Sequence, residues 1–306
     1  MRGKQPYRVK TISEFHKLKG LPPPEHPLIS VIDYGTIKCH AHVDASHFVF
    51  DFYNISVKRG MNAKYIYGQQ HYDFDDGVMF FISPNQVFGI EADPEILSKR
   101  TGWMLLLHPD FLWHTVLAKT FKQYEFFDYS VNEALFLSEK EETIVKAIIQ
   151  NIQQEHLSNI DKFSQKIIIS QIETLLNYSE RFYNRQFITR KIANHGILNR
   201  LETILDDYFD SGDLSGKGLP SVNYIAETLA ISPNYLSNML KVLTGQSTQQ
   251  HIHDKLIEKA KEKLSTTNLS ISEIAYGLGF EHSPSFSKLF KSKTNVSPLE
   301  FRQSFN

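Results

Sequence analysis

Residues 271–290 read ISEIAYGLGFEHSPSFSKLF, and residues 222–240 read VNYIAETLAISPNYLSNML. The two stretches repeat one spacing of apolar residues, with one extra residue in the turn of the later copy. The apolar positions are Ile225, Ala226, Leu229, Ile231, Leu236 and Leu240 in the first copy, and Ile274, Ala275, Leu278, Phe280, Phe286 and Phe290 in the second. A small alanine lets two helices cross closely, and the later apolar residues hold the second helix against the first. Each copy therefore predicts a pair of tightly crossed helices.

The repetition of this pair favours a DNA-binding function over a purely structural helical hairpin. The packing is that of a helix-turn-helix, whose second helix enters the major groove of DNA. A single copy is weak evidence, because any helical hairpin needs a small residue and an apolar stripe. Two copies about 50 residues apart, joined by a third helical segment, are much harder to obtain by chance.

Capping residues predict where the helices begin. Ser232-Pro233 and Ser283-Pro284 should each open a recognition helix, because the serine hydroxyl accepts from free amides and proline at the first helical position loses no hydrogen bond. Residues 297–300, Ser-Pro-Leu-Glu, predict a capping box. Gly277 and Gly279 predict tight backbone geometry in the second turn.

From about residue 198 to residue 305 the chain resembles the DNA-binding domain of the AraC/XylS family of bacterial transcription regulators. The resemblance is carried by residues 231–237, ISPNYLS; by residues 271–280, ISEIAYGLGF; and by residues 290–302, FKSKTNVSPLEFR. It implies two helix-turn-helix units bridged by a long helix. That bridge is predicted from His251 to Leu264, where Ile252, Leu256, Ala260 and Leu264 recur on one face.

The apolar positions also predict which side chains face DNA. Leu236, Leu240 and Leu243 should face the core of the first unit, and Phe286, Leu289 and Phe290 that of the second. The predicted DNA-contacting residues are Asn234, Tyr235, Ser237, Asn238 and Lys241 in the first unit, and His282, Ser283, Ser285, Ser287, Lys288 and Lys291 in the second. Asparagine can pair with adenine edges, serine with several bases, and lysine with guanine or phosphate. The alternative is that Asn238, Lys241 and Lys288 are ordinary solvated residues; the repeated motif favours DNA contact.

The charge of this region adds little to the case. Residues 215–306 contain ten Lys and Arg against seven Asp and Glu, and extending the count back to residue 198 gives 11 against 12. Because phosphate neutralisation supplies most non-specific affinity, a domain this mildly basic should bind weakly outside its own site. The acids cluster in residues 202–213, which suggests an acidic first helix pointing away from DNA.

The first half of the chain is rich in aromatic residues and in short strand patterns. Half of the Phe, Trp and Tyr residues fall between Phe48 and Tyr129. Strands are predicted at residues 48–53, 63–67, 78–82, 87–90 and 102–107, separated by turn residues. This order suggests a small antiparallel barrel or sandwich. The family resemblance implies a cupin-like barrel here that binds a small effector.

Such a barrel would enclose a mainly apolar pocket. Tyr65, Tyr67, Phe80 and Trp103 are the candidate effector-binding residues, and the alternative is that they simply fill the core. A cupin-type metal-dependent enzyme fused to a DNA-binding domain is a second alternative, because residues 40–42, His-Ala-His, form a metal-binding pattern. The expected glycine-flanked glutamate does not follow, and no nucleophile elbow, phosphate loop or Rossmann fingerprint occurs. We therefore expect no metal, no cofactor and no enzymatic activity.

Two long helices are predicted after the strands. Residues 138–141 form a capping box, and a second helix should run from Ile160 to about Phe187. Its apolar seam is Ile168, Ile172, Leu175, Ser179 and Phe182. The family resemblance implies a homodimer through these helices, and packing within one chain is the alternative. Residues 194–196, Asn-His-Gly, predict a helix stop and a domain boundary.

Together these patterns predict an α+β chain. It would comprise an N-terminal arm (1–27), a cupin-like effector-sensing β-barrel domain (28–130), a helical dimerisation segment (131–195) and an all-α double helix-turn-helix domain (198–306). The proline-rich end of the arm, residues 21–24, is interpreted as a passive spacer. A single Cys39, short apolar runs and no signal-peptide core in residues 1–20 predict a cytoplasmic protein without a membrane segment. The implied partners are promoter double-stranded DNA and RNA polymerase.

Overall fold

The computed structural model describes residues 6–37, 47–59, 65–67, 70–72, 77–89, 101–130, 133–157, 161, 163–189, 191–211, 214 and 216–304. In residues 65–67 and 70–72 it describes the backbone alone. The chain divides into two compact units, Met1–Gln186 and Phe187–Asn306. The described strands lie in the first unit, and the predicted DNA-binding helices lie in the second.

Strands form the centre of the first unit. They are β1 (Tyr7–Val9), β2 (Ile29–Asp33), β3 (His47–Phe50), β4 (Tyr53–Arg59), β5 (Tyr65–Tyr67), β6 (Gln70–Tyr72), β7 (Val78–Ile82), β8 (Val87–Gly89), β9 (Thr101–Leu107) and β10 (Leu135–Phe136). They make a five-stranded antiparallel sheet in the order β10-β7-β4-β9-β2, a three-stranded sheet in the order β1-β3-β8, and a two-stranded sheet of β5 and β6.

The described strands do not close into the predicted cupin-like barrel. The five-stranded sheet is open, with β10 and β2 at its edges. The chain changes sheets between β3 and β4 and again between β7 and β8, so two open sheets pack face to face. A pattern of short strands fits a sandwich and a barrel equally well, because closure depends on which edges pair.

The central strand β4 separates two apolar layers. Ile55 pairs across the sheet with Phe81 and Leu105, and the Phe81 ring lies 6.1 Å from that of Tyr183, so this face packs against helical residues. The other face packs against the three-stranded sheet, through a cluster that includes Ile82, Met104, Leu106, Phe48, Phe50 and Phe88. Side chains of one strand alternate between these layers.

Helices of the first unit are α1 (Ile12–Leu18), α2 (Leu117–Thr120), α3 (Glu139–Leu157) and most of α4 (Ser164–Thr189). Short 3-10 turns lie at Tyr34–Thr36, Pro109–Leu112, Phe121–Gln123 and Glu125–Asp128. The capping box predicted at the start of α3 is confirmed, since the Ser138 amide donates to Glu141 Oε2 at 2.8 Å and the Glu141 amide donates to Ser138 Oγ at 3.4 Å.

The seam predicted to join two subunits is buried inside one chain. Its residues Ile168, Ile172, Leu175, Ser179 and Phe182 are each at most 4% exposed. Ser179 Oγ lies 3.9 Å from Met79 Sδ, so this side of α4 covers the five-stranded sheet. The prediction of a dimer through this seam is wrong, because the sheet of the same chain already covers it.

Residues 7–18 belong to the folded core and not to a free arm. β1 pairs in parallel with β3, and α1 follows directly. Val9 and Ile12 are fully buried and Phe15 is 2% exposed. Residues 7–18 of the predicted N-terminal arm (1–27) are therefore packed into the core, because their apolar side chains are spaced to reach it.

The second unit is helical. It contains α5 (Lys191–Asp210), α6 (Val222–Leu229), α7 (Pro233–Thr244), α8 (Thr248–Thr266), α9 (Ile271–Gly277), α10 (Ser283–Thr294) and α11 (Pro298–Gln303). The helix stop predicted at residues 194–196 is wrong, because they lie inside α5. Asn194 is 2% exposed and its Nδ2 donates to the Phe187 carbonyl at 2.6 Å, so the amide is used in packing. Among the helices described in either unit, none has the length and apolar character needed to cross a membrane.

Candidate nucleic-acid interface

Two helix-turn-helix units, α6 with α7 and α9 with α10, are held by the bridging helix α8. The predicted template is confirmed by burial, with five positions of each copy at most 2% exposed: Ile225, Ala226, Leu229, Leu236 and Leu240, and Ile274, Ala275, Leu278, Phe286 and Phe290. Ala226 and Ala275 are fully buried, as a close helix crossing requires. Ile252, Leu256, Ala260 and Leu264 of α8 are also buried, which confirms the predicted face of the bridge.

The two turns have the same backbone geometry. Ala230 has a φ of 60° and Gly279 a φ of 88°, at equivalent places after α6 and α9. The Ile231 amide donates to the Ala226 carbonyl at 3.0 Å, and the Phe280 amide repeats this bond. Such a left-handed residue lets the chain reverse while satisfying a free helix carbonyl. The sequence pattern predicted the second turn through its glycines and gave no sign that Ala230 adopts the same conformation.

Gly279 is required for a second reason. A Cβ at this position would lie 2.9 Å from the backbone of Gly218, in the loop after α5. Gly277 differs, because it lies within α9 and an added Cβ would meet nothing within 4 Å. Of the two glycines predicted to provide tight geometry, the structure requires only Gly279.

Caps fix the start of the recognition helices differently in the two units. Ser232 Oγ accepts from the Tyr235 amide at 3.2 Å, as predicted. In the second helix-turn-helix, His282 occupies the N-cap position and makes no side-chain cap, so the prediction that Ser283 caps α10 is wrong. Counted from the core residues Leu236 and Phe286, Ser283 corresponds to Pro233 and not to Ser232, so it lies inside the helix.

Capping boxes open three other helices of the domain, α8, α9 and α11. The predicted box at Ser297 and Glu300 is confirmed, and boxes at Ser247 with Gln250 and at Ser270 with Glu273 repeat it. Hydrogen bonds from the Ser270 backbone amide and hydroxyl lower the pKa of the Glu273 carboxyl, and Ser297 acts likewise on the pKa of Glu300. The last two boxes were readable from the serine-to-Gln or serine-to-Glu spacing.

The outward face of α7 carries most of the residues predicted to contact DNA in the first helix-turn-helix. Lys241 is exposed, and Asn234, Ser237 and Asn238 are half-buried. Ser237 Oγ lies 3.1 Å from Thr248 Oγ1, so this hydroxyl also ties the recognition helix to the bridge. The side chains share one edge of α7, which the core residues leave uncovered.

Tyr235 is a correction to the predicted set. Its side chain is only 7% exposed, and its ring lies 5.1 Å from the Phe187 ring in an edge-to-face arrangement. Burial against an aromatic neighbour removes it from the surface that DNA could reach. The local sequence pattern could not predict this burial, because Phe187 lies 48 positions earlier in the chain.

The residues predicted to contact DNA in the second helix-turn-helix lie on α10 and at the residue before it. His282, Ser285, Lys288 and Lys291 are exposed. Ser283 and Ser287 are half-buried, beside the core residues Phe286 and Phe290.

Two of the four lysines of the bridging helix are paired with acids of α5. Lys255 Nζ lies 2.7 Å from Asp206 Oδ1, and Lys259 Nζ lies 2.6 Å from Asp210 Oδ1. A side-chain hydrogen bond with Asp206 raises the pKa of Lys255, and one with Asp210 raises the pKa of Lys259. The acids of α5 and the lysines of α8 both recur every four residues, so two parallel rows meet. The predicted acidic helix therefore neutralises Lys255 and Lys259 of the bridging helix. The sequence pattern did not predict this pairing.

Candidate effector residues of the first unit do not form one set. Phe80 pairs with Ser56, whereas Trp103 pairs with the next residue, Val57, so their side chains lie on opposite faces of the sheet. The grouping of these two residues in one pocket is wrong. The side chains of Tyr65 and Tyr67, and the whole of the His-Ala-His pattern at residues 40–42, lie outside the described part of the chain.

A protein with two such units on one bridging helix belongs to the helix-turn-helix class of DNA-binding proteins. A family model described as a helix-turn-helix domain matches residues 225–304. An uncharacterised helix-turn-helix-type transcriptional regulator in the cgkA 5′ region of Pseudoalteromonas carrageenovora is 30% identical over 116 residues, 38% of this chain and 64% of that protein. The arabinose operon regulatory protein of Escherichia coli strain K12 is 36% identical over 78 residues, 26% of this chain and 27% of that protein.

The solved C-terminal domain of the two-component response regulator yesN from Fusobacterium nucleatum is 33% identical, and the match covers 36% of this chain and 97% of that structure with a TM-score of 0.30. With its two helix-turn-helix motifs and the curated relatives, the chain belongs to the AraC/XylS family of transcription regulators. The chain spans less than two thirds of the length of the curated relatives named above.

Proposed function

We propose that this protein regulates transcription by binding promoter double-stranded DNA through two recognition helices per subunit, under the control of a small-molecule effector. The observation that carries the proposal is the repeated unit. Two helix pairs share a turn geometry, and each presents an uncovered polar edge of its second helix. This repetition has no structural necessity, whereas two DNA-reading helices explain it directly.

The proposed contacts divide by chemistry. Asn234, Asn238 and Ser285 can read base edges, and Lys241, Lys288 and Lys291 can bind guanine or neutralise phosphate. The two helices would enter successive segments of the major groove on one face of the duplex, about 34 Å apart. Binding at a promoter in the cytoplasm would change the contacts available to RNA polymerase.

The bridge pairing supports specific over non-specific binding. With Lys255 and Lys259 held by acids of α5, the exposed lysines of α7 and α10 supply the positive charge on the proposed interface. Each phosphate contact makes the slope of log affinity against log salt concentration steeper by about 0.9. We therefore expect a shallow slope on random DNA and a requirement for base contacts.

The proposed effector site lies between the two sheets of the first unit. The inner face of β4 carries a polar row, Asn54, Ser56 and Lys58, within an otherwise apolar layer. Asn54 is 4% and Ser56 is 1% exposed, and Asn54 Oδ1 has no hydrogen-bond partner in the described part of the chain. Lys58 Nζ lies 4.8 Å from the centre of the Phe80 ring. Because a buried polar atom without a partner is costly, a polar ligand on this face would satisfy it.

We retain a homodimer in the proposal, through a surface other than the α4 seam. Trp113 is 61%, Val116 73% and Leu157 63% exposed, so the first unit keeps large apolar side chains at its surface. Light scattering on the full chain checks this part, and a monomer at micromolar concentration would remove the dimer.

The experiment that tests the function is selection of sheared genomic DNA by the purified full chain, sequenced after washes at several salt concentrations. We expect a motif of two elements about one helical turn apart. Retention of all sequences alike, with a steep salt slope, would show an architectural DNA-binding protein instead.

A further inference from the structure

One carboxylate of the bridging helix contacts the ends of both recognition helices. Asp254 Oδ2 accepts from Gln246 Nε2 at 2.9 Å, and Asp254 Oδ1 lies 2.7 Å from Lys293 Nζ. Gln246 lies two residues beyond the end of α7, and Lys293 lies in the last turn of α10. The two oxygens of one side chain therefore connect the two helix-turn-helix units.

A neighbouring polar contact holds the first of these ends to the same turn of α8. Thr244 Oγ1, in the last residue of α7, lies 2.9 Å from His251 Nε2. Burial lowers the pKa of His251, with Asp254 and Glu202 acting in the opposite direction. The first turns of α8 thus present a polar cluster to α7 and, through Asp254, to α10.

Polar contacts of this kind are directional, whereas apolar packing is not. The core side chains of α8 hold both units through non-directional contacts, which tolerate small rotations of a helix about the bridge. Hydrogen bonds and ion pairs depend on distance and angle, so they select one rotation. Lys293 also neutralises the charge of Asp254.

We infer that Asp254 is a positioning residue that sets the distance and rotation between the two recognition helices, and thereby the spacing of the two DNA elements. This inference rests on the proposed DNA-binding function. One added base pair displaces the second element by about 3.4 Å along the duplex axis and rotates it about that axis. A pair of helices held at one separation rejects such a site, whereas a loosened pair accepts it more readily.

Spin labels test the coupling without DNA. The full chain carrying Cys39→Ser, Lys241→Cys and Lys288→Cys receives a nitroxide on each recognition helix, and pulsed dipolar spectroscopy gives the distance distribution between them. Asp254→Asn keeps the shape of the side chain and removes its charge. We expect a broader distribution in Asp254→Asn and in Lys293→Met, and an unchanged one in Glu262→Gln, which removes an equal charge from an exposed position of the same helix. An unchanged width in both Asp254→Asn and Lys293→Met overturns the inference.

DNA binding provides the second readout. The affinity of the selected site is compared with that of sites whose two elements are one base pair closer or farther apart. We expect the preference for the native spacing to fall roughly two- to tenfold in Asp254→Asn, the lower part of the range of coupling within one polar network, and to return in Asp254→Glu. Glu262→Gln should alter all three affinities equally. A spacing preference unchanged in Asp254→Asn overturns the inference, and a parent chain without sequence-specific binding overturns the proposed function while the label distances still decide the coupling.

Discussion

The ammonium group of Lys255 lies 2.7 Å from the carboxylate of Asp206, which joins the bridging helix to the acidic helix α5. Lys259 and Asp210 repeat the contact one turn along each helix. Both lysine side chains are less than one-fifth exposed. Two of the four lysines of the helix between the recognition units are thus neutralised by α5, and these two serve the fold.

The first prediction concerns this neutralisation. Asp206→Asn combined with Asp210→Asn should remove the α5 partners of both lysines. The slope of log affinity against log salt concentration for random duplex DNA should then become steeper by up to about two. Fluorescence anisotropy across a salt series measures it. Asp207→Asn, an exposed acid on the same helix, should leave the slope nearly unchanged. Equal slopes in the double variant and this control would show that the lysines cannot reach phosphate.

The second prediction compares two glycines two residues apart. Gly279→Ala should lower the free energy of unfolding of the second unit by more than about 1 kcal/mol, because a left-handed φ and the Gly218 backbone both oppose a Cβ. Gly277→Ala should be neutral or stabilising by up to about 1 kcal/mol, since it lies in a helix with open space around it. Urea unfolding of the full chain distinguishes them, and equal midpoints would contradict the turn geometry.

The third prediction addresses the reading face of α10. Lys288→Ala should weaken DNA binding to all sequences and lower the salt slope by about one, as expected for loss of one phosphate contact. Lys166→Ala removes an exposed lysine from the first unit and is the matched control. If both variants bind as the parent does, Lys288 is an ordinary solvated residue.

The fourth prediction is a loss of stability in mild acid. The rings of His26 and His156 lie 6.4 Å apart, and burial lowers the pKa of both, with mutual repulsion lowering that of His156 further. A lowered folded-state pKa means that the unfolded chain binds more protons below about pH 6.5, so stability is lost as pH falls from that value through the folded pKa.

Thermal unfolding of the first unit between pH 7.5 and pH 5 measures this loss. His156→Gln should flatten the dependence while leaving the midpoint at the higher pH nearly unchanged. A variant with the same pH dependence as the parent would show that this histidine pair does not drive it.

Much of the second unit could be predicted from sequence. Its helices pack through local spacing, so Ala226, Leu236 and their counterparts identify both crossings without knowledge of the fold. The position of α10 was predicted to within one residue, and the error in its cap arose because the Ser-Pro pair lies one residue closer to the core residues than in the first copy. Tyr235 was misassigned because helical spacing shows which edge of a helix is apolar, but not that Phe187 covers part of the opposite edge.

The first unit shows where sequence patterns reach their limit. Short apolar and aromatic runs bounded by turn residues predict strands such as Val78–Ile82 correctly, yet they carry no information on which strands become neighbours. Trp103 and Phe80 lie on opposite faces of the sheet because of the strand register, which is a property of pairing between distant segments. The apolar seam of α4 likewise could not reveal whether a sheet of the same chain or a second subunit covers it.

The sequence by itself determined the two helix-turn-helix units and their family, because their apolar template and caps act between residues a few positions apart. Tertiary structure alone decided the open sheets, the engagement of Lys255 by Asp206, and the position of Asp254 between two helix ends. These features depend on charged side chains and strand edges that come together only when the chain folds. The residues involved are far apart in sequence, so no local pattern predicts their contacts.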